Sequence, residues 1–259
     1  MFEVYRFGEV EIITFALILV RISSMLVTMP IVGTRTVPNQ VKILLSVSIA
    51  FVLFPFLRTH SSLELAWKDH LILLIMREAF LGVFMGFLCR MIFMSVEMAG
   101  QILSFSIGLS AAQLVNPSFG ESSSVMEQFE IVLGTLIFLG INGHHVFFEA
   151  LFRSFQLAPV GIMAFKVEAI NSVTLMAQEV IGLAVKLAGP MIAVVLFLNI
   201  ALGVIGRAVP QINVFVISFP VNILVGLFIF MVSIPLLLTV VESDYINLGQ
   251  QVMGFIKGF

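Results

Sequence analysis

Charge is scarce in this chain. Only 11% of its 259 residues are Asp, Glu, Lys or Arg, against about 25% in an ordinary soluble domain, and Ala208–Val241 contains none. Thirteen basic and fifteen acidic side chains leave a formal charge of −2, with no basic patch for nucleic acid and no acidic tail. A single cysteine, Cys89, excludes an internal disulfide and any cysteine-based metal cluster. It sits in an apolar run beside Arg90 and reads as a small buried side chain. There is no P-loop and no dinucleotide-binding glycine pattern, and nothing pairs Ser110 with a base in a recognisable motif. His145 and Glu149 share a helical face, but with His144 they do not assemble the ligand set a zinc site needs, and His60 and His70 lie in a separate loop. The sequence reads as a non-enzymatic protein with no cofactor and no metal. Its first eleven residues carry Glu3, Glu9 and Glu11 against Arg6, the wrong sign for a cleavable signal, so the apolar stretch behind them is expected to remain as an anchor.

What fills the chain is apolar: 60% of residues are hydrophobic and the mean hydropathy is +1.14. A helix of about 20 apolar residues crosses a bilayer, and this length accommodates about six such spans. The first apolar segment covers residues 12–32 and is interrupted by Arg21. A polar elbow, Thr34–Gln40, leads to Lys42 and the short uncharged stretch 43–57, which holds Pro55 and reads as a partial span or a protein-buried helix. Residues 71–97 follow a polar link and contain Arg77, Glu78, Arg90 and Glu97. Segment 131–148 is apolar around Asn142-Gly143-His144-His145, and a mixed stretch, 153–179, reads as a loop and an amphipathic helix. Residues 187–206 form an apolar helix. The uncharged run 208–241 is too long for one crossing and short for two, and Pro220 and Pro235 interrupt it. It is expected to be a broken helix or a tight helical hairpin. The fold class is all-α and membrane-associated.

Arg77, Glu78, Arg90 and Glu97, with Arg21, Lys186 and Arg207, lie in or beside apolar segments, where a charge pairs, snorkels or lines a polar path. A proton or ion route and interhelical pairing are both open on the sequence, and snorkelling at helix ends suits Arg207 and Lys186. No Lys or Arg lies between Arg90 and Arg153, so the positive-inside rule gives little topology. A chain wrapped by other subunits accounts for that silence.

Residues 98–120 differ from the rest, opening at Met98-Ala99-Gly100-Gln101 and staying rich in Gly, Ser and Gln. Within them Phe105–Gly120 is the most informative stretch: its small residues allow close backbone approach, and Asn116-Pro117 and Gly120 break a helix. Irregular backbone at membrane depth is tolerated only when buried in protein or facing water, so such a loop lines or obstructs a pore. A second feature is an echo. Arg35-Thr36-Val37-Pro38-Asn39 and Arg207-Ala208-Val209-Pro210-Gln211 share Arg-x-Val-Pro-amide, an elbow that ends one helix and starts another. Duplication of a half and chance recurrence of a turn both produce it.

In order along the chain, Pro30-Ile31, Thr36-Val37-Pro38-Asn39-Gln40-Val41-Lys42, Gly100-Gln101, Ile107-Gly108-Leu109-Ser110, Asn116-Pro117, Asn142-Gly143-His144, Leu157-Ala158-Pro159-Val160-Gly161, Pro210-Gln211-Ile212-Asn213-Val214-Phe215 and Phe219-Pro220 resemble the FliR family. Its members are subunits of the flagellar type III protein export gate, with virulence-secretion relatives. The resemblance implies helical hairpins packed in a hetero-oligomeric gate with P-type and Q-type subunits, a B-type switch subunit at the cytoplasmic opening, and unfolded export substrates in the channel. It implies the bacterial inner membrane and the flagellar basal body. It also implies a P-like part over 1–169 and a Q-like hairpin over 170–259. By position, the family's pore plug falls on residues 105–120, with Phe105, Ser106, Ile107, Gly108, Leu109, Ser110, Gln113, Leu114, Val115, Asn116, Pro117 and Phe119 filling the lumen. Pro38, Arg207, Pro210, Gln211, Asn213 and Pro220 are the expected helix breaks and partner contacts. The rival is a stand-alone secondary transporter using Arg77, Glu78, Arg90 and Glu97 as its polar route.

Overall fold

The structure is a computed structural model that describes residues 8–34, 36–57, 67–109, 125–160, 168–211 and 213–256. Seven helices account for most of them: α1 (Glu9–Thr28), α2 (Asn39–Leu57), α3 (Trp67–Ser106), α4 (Val125–Gly140), α5 (Gly143–Leu157), α6 (Glu168–Ala208) and α7 (Val214–Ile256). No strand occurs among the described residues. Five helices hold stretches long and apolar enough to cross a membrane, and α4 with α5 qualifies as a sixth, interrupted span. The all-α, membrane-embedded class follows from these lengths.

Local chemistry sets the ends of the helices. Glu9 and Glu11 occupy the first turn of α1, where the helix dipole favours negative charge, and Glu11 reaches back to accept a hydrogen bond from the Gly8 N–H at 3.2 Å. α1 stops before Pro30, since a residue preceding proline avoids helical dihedrals. At the other extreme, α3 ends because Gly108 adopts φ +87°, a left-handed backbone that glycine takes at no steric cost.

Three expectations are corrected here. α3 runs through Gly100-Gln101 to Ser106, and the chain turns at Gly108, inside the expected 105–120 stretch. The stretch 43–57 is part of a full span, because α2 starts at Asn39 and its Lys42 is buried with its ammonium satisfied. The helix expected over 187–206 extends from Glu168 to Ala208. Finally, the run 208–241 is not itself a hairpin. Among the described residues it breaks between Ala208 and Val214, and α7 continues through Pro220 and Pro235. Each proline forfeits one backbone hydrogen bond, a loss that membrane helices accommodate, so Pro220 is not a helix break.

The chain divides into two compact units: residues 1–91, 142–177 and 246–259 in one, and 92–141 and 178–245 in the other. The first unit has Leu17, Ile18, Ile22 and Met25 of α1, Leu81 and Met85 of α3 and Leu151 and Phe155 of α5 in its core. Phe15 and Phe54 join α1 to α2 edge-to-face, with ring centroids 5.6 Å apart. α1 and α3 approach closely because a Cβ at Gly82 would overlap Ser24 Oγ and the Arg21 carbonyl, and one at Gly86 would overlap Thr28 Oγ1. In the second unit Phe93 stacks edge-to-face on Phe138 at 5.4 Å, and Phe129 on Phe230 at 5.7 Å. α6 and α7 form an antiparallel hairpin, shown by the Asn199–Asn222 hydrogen bond at 2.9 Å and by Gly206 against Val214.

Candidate functional site

The first unit holds a fully buried charge cluster. Arg21 Nε donates to Glu78 Oε2 at 2.5 Å, with neither side chain exposed. Its Nη1 donates to the Ser154 carbonyl at 3.1 Å and to Ser154 Oγ at 3.3 Å, while Nη2 donates to the Ala158 carbonyl at 2.9 Å. The guanidinium also lies 4.3 Å from the centroid of the Phe155 ring, a cation–π contact strengthened by desolvation. Beside it, Arg77 Nη1 donates to the Pro159 carbonyl at 3.2 Å and to Glu78 Oε1 at 3.4 Å. Two arginines thus hold the end of α5 and the Leu157–Val160 turn against α1 and α3. Glu78 faces both guanidinium groups, Arg21 through Oε2 and Arg77 through Oε1. Chemically, the cluster is a staple.

Of the four expected buried charges, the structure brings together Arg77 and Glu78. Arg90 is exposed: twelve residues beyond Glu78, at about 100° per residue, it points about a third of a turn away. Glu97 is half-buried in the second unit. Glu149, four residues after His145, pairs with Arg153 at 2.5 Å on the surface.

A second polar centre organises the Pro30–Lys42 elbow. Lys42 Nζ donates to the carbonyls of Thr34 at 2.8 Å and Gly33 at 3.1 Å. Pro38 precedes α2, and its carbonyl accepts from the N–H groups of Val41 at 3.0 Å and Lys42 at 3.3 Å. Ile31 has φ 68°, strained for a β-branched residue. Gly33 fits where any Cβ would strike the Val27 and Met29 carbonyls.

In the second unit, α3 and α4 meet at Gly100, where a Cβ would stand 2.8 Å from the Glu127 Cα. Gln101 donates to Glu127 Oε1 at 3.3 Å, and buried Glu130 lines a narrow apolar crevice with Val96, Gly134, Ile137 and Leu187. Phe105 is exposed and Ser106 half-buried at the end of α3. Ile107 is fully buried, and Gly108 and Leu109 continue the turn half-exposed. Ser110, Gln113, Leu114, Val115, Asn116, Pro117 and Phe119 lie outside the described residues.

Arg207 closes α6, exposed, and Pro210 and Gln211 are exposed in the link to α7. Asn213 immediately precedes α7, its backbone carbonyl accepting from the Val216 N–H at 3.1 Å. Gly226 of α7 lies against Ile107, whose Cγ2 an added Cβ would overlap. The sequence reading missed the roles of Ser154, Gly82, Gly86, Lys42, Asn199, Asn222 and Gly226. Arg21 and Glu78 each interrupt an apolar run, a visible signal, but which charge pairs with which is not.

Residues 12–247 match the family described as bacterial export proteins, family 1. The flagellar biosynthetic protein FliR of Aquifex aeolicus (strain VF5) is 29% identical over 254 residues, covering 97% of this chain and 97% of that protein. Its counterpart in Bacillus subtilis (strain 168) is 29% identical over 241 residues, 89% of this chain and 90% of that one. The Escherichia coli (strain K12) protein is 30% identical over 237 residues, 89% and 88% of the two chains.

Proposed function

This chain belongs to the bacterial export proteins, family 1, and from that premise we propose that it is a non-enzymatic core subunit of the flagellar type III export gate. It is a membrane-embedded component of flagellar export. In the finer reading it sits in the inner membrane within the basal body. There it joins P-type and Q-type subunits, with a B-type switch subunit at the cytoplasmic opening, and helps form the channel for unfolded export substrates. Residues 1–169 supply the P-like part and 170–259 the Q-like part. Residues 105–120 plug the closed pore with apolar side chains, and Gly108, Pro117 and Gly120 let the segment move aside.

The observation that carries the gate reading is the uncovered hairpin. Of the most apolar windows of α6 and α7, only 17% and 22% are buried within the chain. In their midst lies the Asn199–Asn222 pair, and Asn222 Oδ1 is buried without a partner. Amides in a span are poorly served by lipid and are satisfied by side chains of neighbouring helices, which supports protein neighbours. The stand-alone transporter needs a titratable polar route, and the commitment of Glu78 to Arg21 weighs against it.

The test is co-expression of a tagged copy with P-type and Q-type subunits, mild-detergent purification and intact-mass measurement. A discrete complex with one copy of this chain among several partners is expected. A stable particle of this chain alone, indifferent to those subunits, refutes the reading.

A further inference from the structure

The second unit contains a carboxylate that no cation answers. Glu130 of α4 is only 4% exposed, and among the described residues it makes no hydrogen bond or ion pair. Its Oε2 rests against the α3 backbone at Gly100, where an added Cβ would stand 3.2 Å away. Glu127, one turn earlier on the same face, is 7% exposed, and the neutral Gln101 amide donates to its Oε1 at 3.3 Å. Gln101 is itself exposed, so the seam between α3 and α4 lies just beneath the surface of the chain.

The unit does not supply the missing positive charge. Its sequence carries Glu97, Glu121, Glu127, Glu130, Glu179, Glu242 and Asp244 against Lys186 and Arg207. Val96 of α3 and Val241 of α7 line the crevice with Glu130, and the charges next to them in sequence are again acidic, Glu97 and Glu242. On α6, Lys186 precedes the crevice-lining Leu187 but is exposed, and Arg207 lies at the end of that helix, about 30 Å further on. A carboxylate taken out of water is costly unless a cation meets it, and membrane spans satisfy such groups by pairing. Lipid tails offer no cation.

We infer that the α3–α4 seam at Gly100, Glu127 and Glu130 is a docking site for a basic side chain, lysine or arginine, of a neighbouring gate subunit. The inference rests on the gate reading above and adds to it the place and the chemistry of one subunit contact. The acidic excess of the second unit makes it complementary to a basic partner. Glycine at 100 brings α4 close enough for the Glu130 carboxylate to lie beside Glu127 at the seam. Gln101 holds Glu127 by a neutral hydrogen bond, which a guanidinium or ammonium group replaces with a stronger, charge-assisted one.

The test expresses the tagged full chain with P-type and Q-type subunits and compares Glu130→Gln and Glu130→Lys with wild type, by co-purification and by export. Glutamine keeps the shape and removes the charge. Glu130→Gln is expected to lower recovery of at least one partner several-fold, and Glu130→Lys to lower it further. The Glu130→Gln chain expressed alone is expected to accumulate to the wild-type level. Selection for restored export in the Glu130→Lys strain is expected to return partner substitutions that replace a lysine or arginine with a neutral or acidic residue. Wild-type recovery of partners by Glu130→Gln overturns the inference. So does loss of the Glu130→Gln chain when expressed alone, which assigns Glu130 to internal packing, and so do restoring substitutions confined to this chain. Lost export from an intact complex overturns it as well, and gives the carboxylates to the exported chain or to a free cation. The gate reading fails separately, when the wild-type chain recovers no partner at all.

Discussion

Arg21 and Glu78, 57 residues apart in sequence, meet at 2.5 Å with both side chains fully buried. Three further hydrogen bonds run from Arg21 to Ser154 and Ala158, so four of its five N–H donors are engaged. Removing one partner from such a pair leaves an uncompensated charge and costs about 3–5 kcal/mol, whereas replacing both with apolar residues costs far less. Glu78→Met and Arg21→Met are each expected to lower the thermal stability of the purified complex strongly, and the two together less than the sum of the single losses. Additive losses in that cycle contradict the staple.

Gly82 and Gly86 set the α1–α3 distance. Alanine at either is expected to destabilise by about 1–3 kcal/mol through overpacking. Gly182→Ala and Gly189→Ala, where an added Cβ meets nothing within 4 Å, are expected to be neutral or stabilising. Thermal unfolding of the four variants side by side checks this, and equal effects at all four positions contradict it.

Lys42→Met removes the donor that holds the Gly33 and Thr34 carbonyls. Stranding those acceptors is expected to cost about 1–3 kcal/mol and to loosen the strained Ile31 backbone. Protease sensitivity in the 29–38 elbow is the readout, and cleavage unchanged from wild type rules the clamp out.

Much of this fold is legible because apolar runs and polar elbows are one-dimensional signals. The polar elbows before Asn39 and before Val214 mark real breaks between helices. The broken-run reading of 208–241 fails for a physical reason. Pro220 and Pro235 read as breakers by aqueous propensities, but inside a membrane an unbroken hydrogen-bonded helix is the only economical backbone, so α7 runs through them. Charges are legible as anomalies and illegible as pairs: Arg21 and Glu78 stand out, yet nothing local says they meet, and Arg90 reads like Glu78 until the helix face is known. The glycine at 226 carries no meaning in sequence, because Ile107 reaches it only through the fold.

The exposed link that ends α6 is expected to serve assembly. Arg207→Ala with Pro210→Ala should reduce co-purification of P-type and Q-type subunits several-fold while leaving the membrane as tight as wild type. Undiminished co-purification counts against a partner-contact role for Arg207, Pro210 and Gln211.

The central claim is that the segment after α3 seals the pore, and the most direct measurement is ion leakage in cells whose copy lacks residues 110–116. This deletion leaves Ile107 in place against Gly226, so packing of the second unit is preserved. The expected result is a several-fold rise in leakage with the complex still assembled at wild-type levels. A membrane as tight as wild type, with the complex intact, contradicts the claim.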